Sequence, residues 1–206
     1  MRNDKIRVAV LVSGGGTNLQ ALLDAAERGD LPDGEIRVVI SDRPGAYALE
    51  RAREAGVEAL ELPKKHFADA AEFEKRLLEE LEARDIEVIV LAGFLSILGE
   101  NITSRYPRRM LNVHPSLIPS FCGEGYYGLK VHEAALERGV KVTGATVHFV
   151  NEIPDGGEII AQKAVDILPD DTPERLQRRV MEQAEWVLLP QALQQVCHTR
   201  RRTGEA

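Results

Sequence analysis

Short unbroken apolar runs alternate along this chain with stretches whose apolar residues recur every three or four positions. Ile6 to Val12 is the first run, and it has the pattern of a strand buried on both faces. Leu19, Leu22, Leu23 and Ala26 follow at helical spacing, and Gly29 can close that helix. Further strands are predicted over Arg37 to Ser41, Val57 to Leu62 and Ile86 to Ala92. Helices are predicted between them, over Ala46 to Glu54 and around Phe73, Leu77, Leu78 and Leu81. Met110 to His114 reads as a short buried strand that Pro115, with no N–H to donate, brings to a stop. His132 to Glu137 then reads as helix, Lys141 to Val150 and Glu158 to Val165 as strands, and Asn151 to Gly157 as a turn. Thr172 and Pro173 open the last helix with a capping hydroxyl and a first-turn proline. Leu176, Val180, Val187 and Leu188 form its buried face, and Pro190 is expected to kink or break it.

Strand and helix in alternation predict an α/β fold, a doubly wound, mostly parallel, Rossmann-like sheet with an antiparallel extension in the C-terminal half. The 206 residues show no internal repeat and no linker, so residues 1–206 read as a single domain. No apolar run is long enough to span a bilayer, and Met1 to Arg7 is too charged for a signal peptide, which makes the cytoplasm the expected compartment and excludes a membrane partner. A net charge of −7 disfavours nucleic acid as a partner. Arg200-Arg201-Arg202 is expected in a frayed polar tail over residues 198–206. Cys122 and Cys197 read as free thiols, and neither they nor the five histidines show metal-ligand spacing, so no metal is expected.

Two stretches carry candidate chemistry. Ser13-Gly14-Gly15-Gly16-Thr17-Asn18 lies between the first strand and its helix, where backbone N–H groups and a helix N-terminus make an anion site. It is neither a P-loop nor the dinucleotide pattern, because no Gly-Lys-Ser/Thr follows and Leu19 stands at the third glycine position. Asp42, just past the second strand, is nonetheless placed like a ribose-binding acid. A literal G-x-G-x-x-G at Gly123, Gly125 and Gly128 follows a proline-rich loop, not a strand, and carries little weight. The second stretch is Asn112-Val113-His114-Pro115. Alternation along a strand sends Asn112 and His114 to the same side, at a strand's carboxyl end, where open α/β sheets bind ligands. A carboxamide and an imidazole suit a carbonyl that becomes an oxyanion; a core histidine beside a turn asparagine is the plainer reading.

Several motifs occur together in one order. They are the glycine loop Ser13–Gln20, Leu91-Ala92-Gly93-Phe94-Leu95, Asn112-x-His114-Pro115-Ser116-Leu117, Thr143 to Val150, and Asp155-Gly156-Gly157. From about Ile6 to the final helix, the chain resembles the phosphoribosylglycinamide formyltransferase family of folate-dependent enzymes. The resemblance implies the formyltransferase fold, with a phosphate-binding half over about 6–100 and a catalytic and folate-binding half over about 101–195. It implies transfer of a formyl group from 10-formyltetrahydrofolate, a co-substrate, to the amine of glycinamide ribonucleotide in purine synthesis. His114, protonated, would stabilise the oxyanion and donate a proton, Asn112 would hydrogen-bond the formyl oxygen, and Asp155 would keep His114 charged.

By the same analogy, Gly15, Gly16, Thr17 and Asn18 would hold the substrate phosphate and Glu185 would contact its ribose. Leu95, Ser96, Ile97, Leu98, Asn112, Asn151, Glu152, Ile153, Pro154 and Asp155 would line the reduced-folate pocket. The chain departs from the pattern at three places: Ala70 stands where many members carry a folate-contacting Arg, Ser120 to Lys130 is a longer loop, and Glu185-Trp186 replaces the usual Glu-His. The longer loop, which carries Tyr126-Tyr127, is expected either to fold over the folate or to mediate self-association as a homodimer. Rival readings are another 10-formyltetrahydrofolate enzyme, a deformylase or one like methionyl-tRNA formyltransferase, and a non-catalytic nucleotide-binding module using the glycine loop and Asp42.

Overall fold

The computed structural model describes residues 5–203, and one seven-stranded sheet runs through them. In chain order the elements are β1 (Ile6–Val12), α1 (Thr17–Glu27), β2 (Gly34–Ser41), α2 (Tyr47–Glu54), β3 (Glu58–Glu61), α3 (Ala70–Glu82), β4 (Val88–Leu91) and the short α4 (Glu100–Thr103). They continue as β5 (Met110–His114), α5 (Leu129–Arg138), β6 (Val142–Phe149), β7 (Ile159–Asp166), α6 (Pro173–Val180) and α7 (Trp186–Thr203). The strand order is β3-β2-β1-β4-β5-β6-β7. Pairing is parallel from β3 through β5 and antiparallel from β5 through β7. The order reverses between β1 and β4, so the loops leaving those two strands flank a crevice, the place where open α/β sheets bind ligands.

β1 shows why the layers form. Val8, Val10 and Val12 enter one apolar cluster with Leu19 and Leu22 of α1 and Leu189 and Leu193 of α7. Ala9 and Leu11 enter the other with Phe73, Leu77 and Leu81 of α3. Both faces of the strand are buried, so its apolar run needs no polar alternation. Each such fully buried aliphatic side chain contributes roughly 1.5–3 kcal/mol.

The structure departs from the sequence expectations where a second effect overrides the local pattern. β2 begins at Gly34, three residues before the predicted start. Its register against β1 slips between Val8 and Ala9, leaving Arg37 as an extra, exposed residue that interrupts the alternation. Pro190 does not break the last helix. The chain passes from α6 through a π-helical turn over Met181–Glu185 into α7, which continues past Pro190 to Thr203. Because the wide turn re-phases the helix, Leu188 and Leu189 are buried and Val187 is only partly so.

The expected frayed tail is also corrected as far as Thr203. Residues 198–203 are helical, and residues 204–206 lie outside the described ones. The helix is tied down by Asp33, just before β2. The Asp33 carboxylate accepts from Gln194 Nε2 (2.7 Å), pairs with His198 Nδ1 (2.9 Å) and pairs with Arg201 (2.6 Å), while its N–H donates to Gln194 Oε1 (3.2 Å). The guanidinium of Arg201, then His198, hold the Asp33 carboxyl down at about 2. A depressed carboxyl stabilises the folded state above its unfolded value and loses that contribution as pH falls through the folded one. Asp33→Asn is therefore expected to lower stability by about 1–3 kcal/mol at neutral pH. Thermal melts should show the gap between variant and wild type closing as the solution is acidified toward about pH 2.

Candidate active site

Asp155 gathers the polar side chains that stand where β5 ends. His114 Nδ1 lies 3.4 Å from its Oδ2, and His148 Nε2 lies 3.5 Å from its Oδ1. The Gly123 N–H donates to Oδ2 at 2.9 Å, and Asn112 Nδ2 reaches Oδ1 at 3.4 Å. Asn112 pairs with His148 across β5 and β6, and its Nδ2 donates to His148 Nε2 at 3.2 Å. His148 donates from Nδ1 to the Phe149 carbonyl at 2.8 Å, which leaves Nε2 as the acceptor. Asp155 itself is held at φ 55, a left-handed conformation that short polar residues tolerate, on the turn that carries β6 into β7. The expected strand alternation thus brings Asn112 and His114 together, and the turn brings Asp155 to both.

The imidazole of His114 is 4% exposed and is oriented by a hydrogen bond at Nε2. Its Nε2 donates to the Phe121 carbonyl at 2.8 Å, so a neutral ring has its lone pair on Nδ1, facing the Asp155 carboxylate. Burial pushes the His114 pKa below its ordinary value, against the upward pull of Asp155 and of the Phe121 carbonyl. Asp155 draws the ring toward its charged form, as expected, while the desolvation of the ring is the larger effect. For Asp155, burial pushes up, but the neighbouring His148 ring, the charge of His114 and the Gly123 N–H together bring it below the usual carboxylate range. A proton arriving at His114 Nδ1 makes an ion pair with the Asp155 carboxylate.

A cavity of about 840 Å³ opens onto this cluster and runs to the glycine loop. At that end, Gly16 adopts φ 72, and a Cβ there would lie 2.6 Å from the Ala48 Cβ, so only glycine brings α1 this close to α2. The N–H groups of Gly14 to Asn18 donate to no group among the described residues. They form an open nest at the N-terminus of the 11-residue α1. Asn18 Nδ2 donates to Glu185 Oε2 at 2.8 Å, joining the nest to the π-helical turn. Burial drives the Glu185 carboxyl up to about 7, against the Asn18 hydrogen bond.

At the other end, Leu95, Ile97 and Ile153 stand 48%, 66% and 59% exposed on the cavity rim, an apolar surface for a flat ligand. Ser96 and Leu98 line the same wall but also hold it in place. Ser96 Oγ donates to Asp42 at 2.6 Å, and Leu98 is buried against the α3 cluster. Glu152 and Pro154 line the cavity, and Asn151 turns the chain by accepting the Ile153 N–H at 3.0 Å.

Asp42 is not available to a ribose. Its second oxygen accepts from Ser13 Oγ at 2.6 Å, so the carboxylate ties the loops after β1, β2 and β4 together. The Gly123–Gly128 segment, which as a nucleotide motif carried little weight, lies against the site as backbone. Its three glycines have φ 87, 88 and 55. Sequence reasoning missed Arg43 and His132, both in the cavity wall. His132 is fully buried, neither ring nitrogen has a partner among the described residues, and burial pushes it down to about 4. Its helical spacing with Val131 and Ala135 reads only as core.

Residues 6–193 match the formyl transferase family. Phosphoribosylglycinamide formyltransferase of Haemophilus influenzae is 40% identical over 184 residues, covering 89% of this chain and 84% of that protein. The trifunctional purine biosynthetic protein adenosine-3 of Drosophila melanogaster is 43% identical over 190 residues, which are 91% of this chain but only 14% of that protein. Among solved structures, glycinamide ribonucleotide transformylase 1 from Symbiobacterium toebii superposes with a TM-score of 0.89 at 42% identity, covering 97% of this chain and 91% of that one.

Asp155→Asn, which keeps the left-handed turn, should lower the His114 pKa further, because the upward pull is lost. NMR titration of the ring nitrogens measures it, and an unchanged His114 would refute the coupling. Glu185→Gln tests the buried carboxyl. A carboxyl raised from 4.5 to about 7 stabilises the fold below the lower value and loses that contribution as pH rises through the upper. The melting temperature of the variant relative to wild type should climb from about pH 5 to about pH 8.

Proposed function

The chain belongs to the formyl transferase family, and from that premise we propose that it moves a formyl group from 10-formyltetrahydrofolate to the amine of N1-(5-phospho-D-ribosyl)glycinamide, a step of purine synthesis. One observation carries the reading. A single cavity joins an open N–H nest at one end to an exposed apolar rim at the other, with Asn112, His114 and Asp155 in its wall. A phosphate suits the nest, a pterin suits the rim, and the distance between them is bridged by groups that handle an oxyanion and a proton.

The chemistry follows from the donor set. The amine nitrogen bonds to the formyl carbon, and the carbonyl electron pair moves onto oxygen. Asn112 Nδ2 meets that oxygen. Its present contacts, 3.2 Å to His148 and 3.4 Å to Asp155, are long and yield to a shorter bond with a developing charge. The amine loses one proton and the departing N10 gains one as the carbon–N10 bond breaks. The His114–Asp155 pair relays it, since a proton on Nδ1 is stabilised by the carboxylate 3.4 Å away. No side chain need attack the carbon, because the substrate's own amine is the nucleophile. Glu185, joined to the nest by Asn18, receives the ribose hydroxyls.

Purified protein with both substrates should consume the formyl folate, followed by absorbance. His114→Ala should cut turnover on the order of 10²–10³-fold with the fold intact by circular dichroism. Turnover near wild type in that variant would defeat the relay.

A further inference from the structure

We propose that Arg43 is the anion clamp of this cleft and holds the phosphate of the ribosyl substrate alongside the N–H nest. The inference rests on the transfer reaction above and adds to it the residue that supplies the charge. Four carboxyl groups, Glu124, Glu152, Asp155 and Glu185, line the cavity, against two basic side chains, Arg43 and Lys130. Lys130 is engaged: its Nζ donates to the Tyr127 hydroxyl at 3.1 Å and lies 4.5 Å above that ring. The Arg43 guanidinium makes no ion pair or hydrogen bond with a described residue. Its bonds are those of its backbone, the N–H to Ser41 Oγ at 3.1 Å and the carbonyl from the same hydroxyl at 2.9 Å.

The one carboxylate beside it in the chain, Asp42, is buried and turned toward Ser13 and Ser96. The arrangement leaves a cation uncompensated on a backbone that cannot drift. Pro44 restricts Arg43 to extended conformations, and the Gly45 N–H is held by Glu61 at 2.9 Å. The same segment abuts the nest, because the Ala48 N–H donates to the Gly14 carbonyl at 3.0 Å. A dianionic phosphate seated on neutral N–H groups needs a counter-charge, and a guanidinium meets it with a planar fork of donors.

Arg43→Ala is expected to raise KM for the ribonucleotide about tenfold, a change equal to about 1.4 kcal/mol, and to leave KM for 10-formyltetrahydrofolate in place. Calorimetry with ribose 5-phosphate should show the same loss of affinity. Arg43→Lys should recover part of it, and the difference between variants should shrink as salt is added, since the side chain is exposed. A rise in KM for the folate alone would assign the guanidinium to the glutamyl carboxylates and overturn the proposal, as would no change in either constant. If the wild type transfers no formyl group yet binds ribose 5-phosphate through Arg43, the reaction assigned above fails and the clamp stands.

Discussion

A carboxylate removed from water must be compensated, and the site is built around that requirement at Asp155. Four groups from three segments converge on it: Asn112 and His114 from β5, the Gly123 N–H from the loop after β5, and His148 from β6. Each is held for a separate reason. The strand pair sets Asn112 opposite His148, the Phe149 carbonyl selects the tautomer of His148, and the Phe121 carbonyl orients His114. The consequence is that the acid, the ring and the amide are not three independent choices of residue. Altering any of them leaves buried polar atoms of the others without partners, which is the costly direction for such a network.

A second carboxylate plays a purely architectural part. Asp42 bridges Ser13 and Ser96, and so locks the loops that leave β1 and β4 to the end of β2. Those loops carry the nest and the apolar rim. The two ends of the cavity are therefore held in a fixed relation by one buried side chain that does not itself line the cavity. The next residue along from that lock, Arg43, lines the same cavity without an ion pair among the described residues.

Much of this was legible along the chain. The alternation of runs predicts the doubly wound sheet because strands buried on both faces have nowhere to put polar residues. Proline after His114 marks where pairing stops. Asn112, His114 and the glycine loop follow from position relative to strand ends. What could not be read is whatever depends on contacts between distant segments. The ring's protonation is set by how deeply His114 is buried, which its neighbours in sequence do not reveal. Asp42 looks like a ligand acid until Ser13 and Ser96 are seen to occupy it. Arg43 looks like any turn arginine, and its isolation is visible only once every nearby carboxylate is seen to face elsewhere. The β2 start was hidden by one slipped residue, Arg37.

The wide turn over Met181–Glu185 also solves a problem of angle. Leu176, Val180, Ala184 and Leu188 follow one another at steps of four, and on a regular helix each such step advances the stripe by roughly 40° around the axis. By Leu188 the stripe would have swung about 120° away from the sheet. One additional residue within the turn unwinds most of that drift, and the apolar side of α7 comes back onto the same cluster that α6 covers. Removing a single residue there would turn Leu189 and Leu193 off the sheet and swing Gln194 and Arg201 away from Asp33. Length at this point in the chain is constrained as tightly as composition.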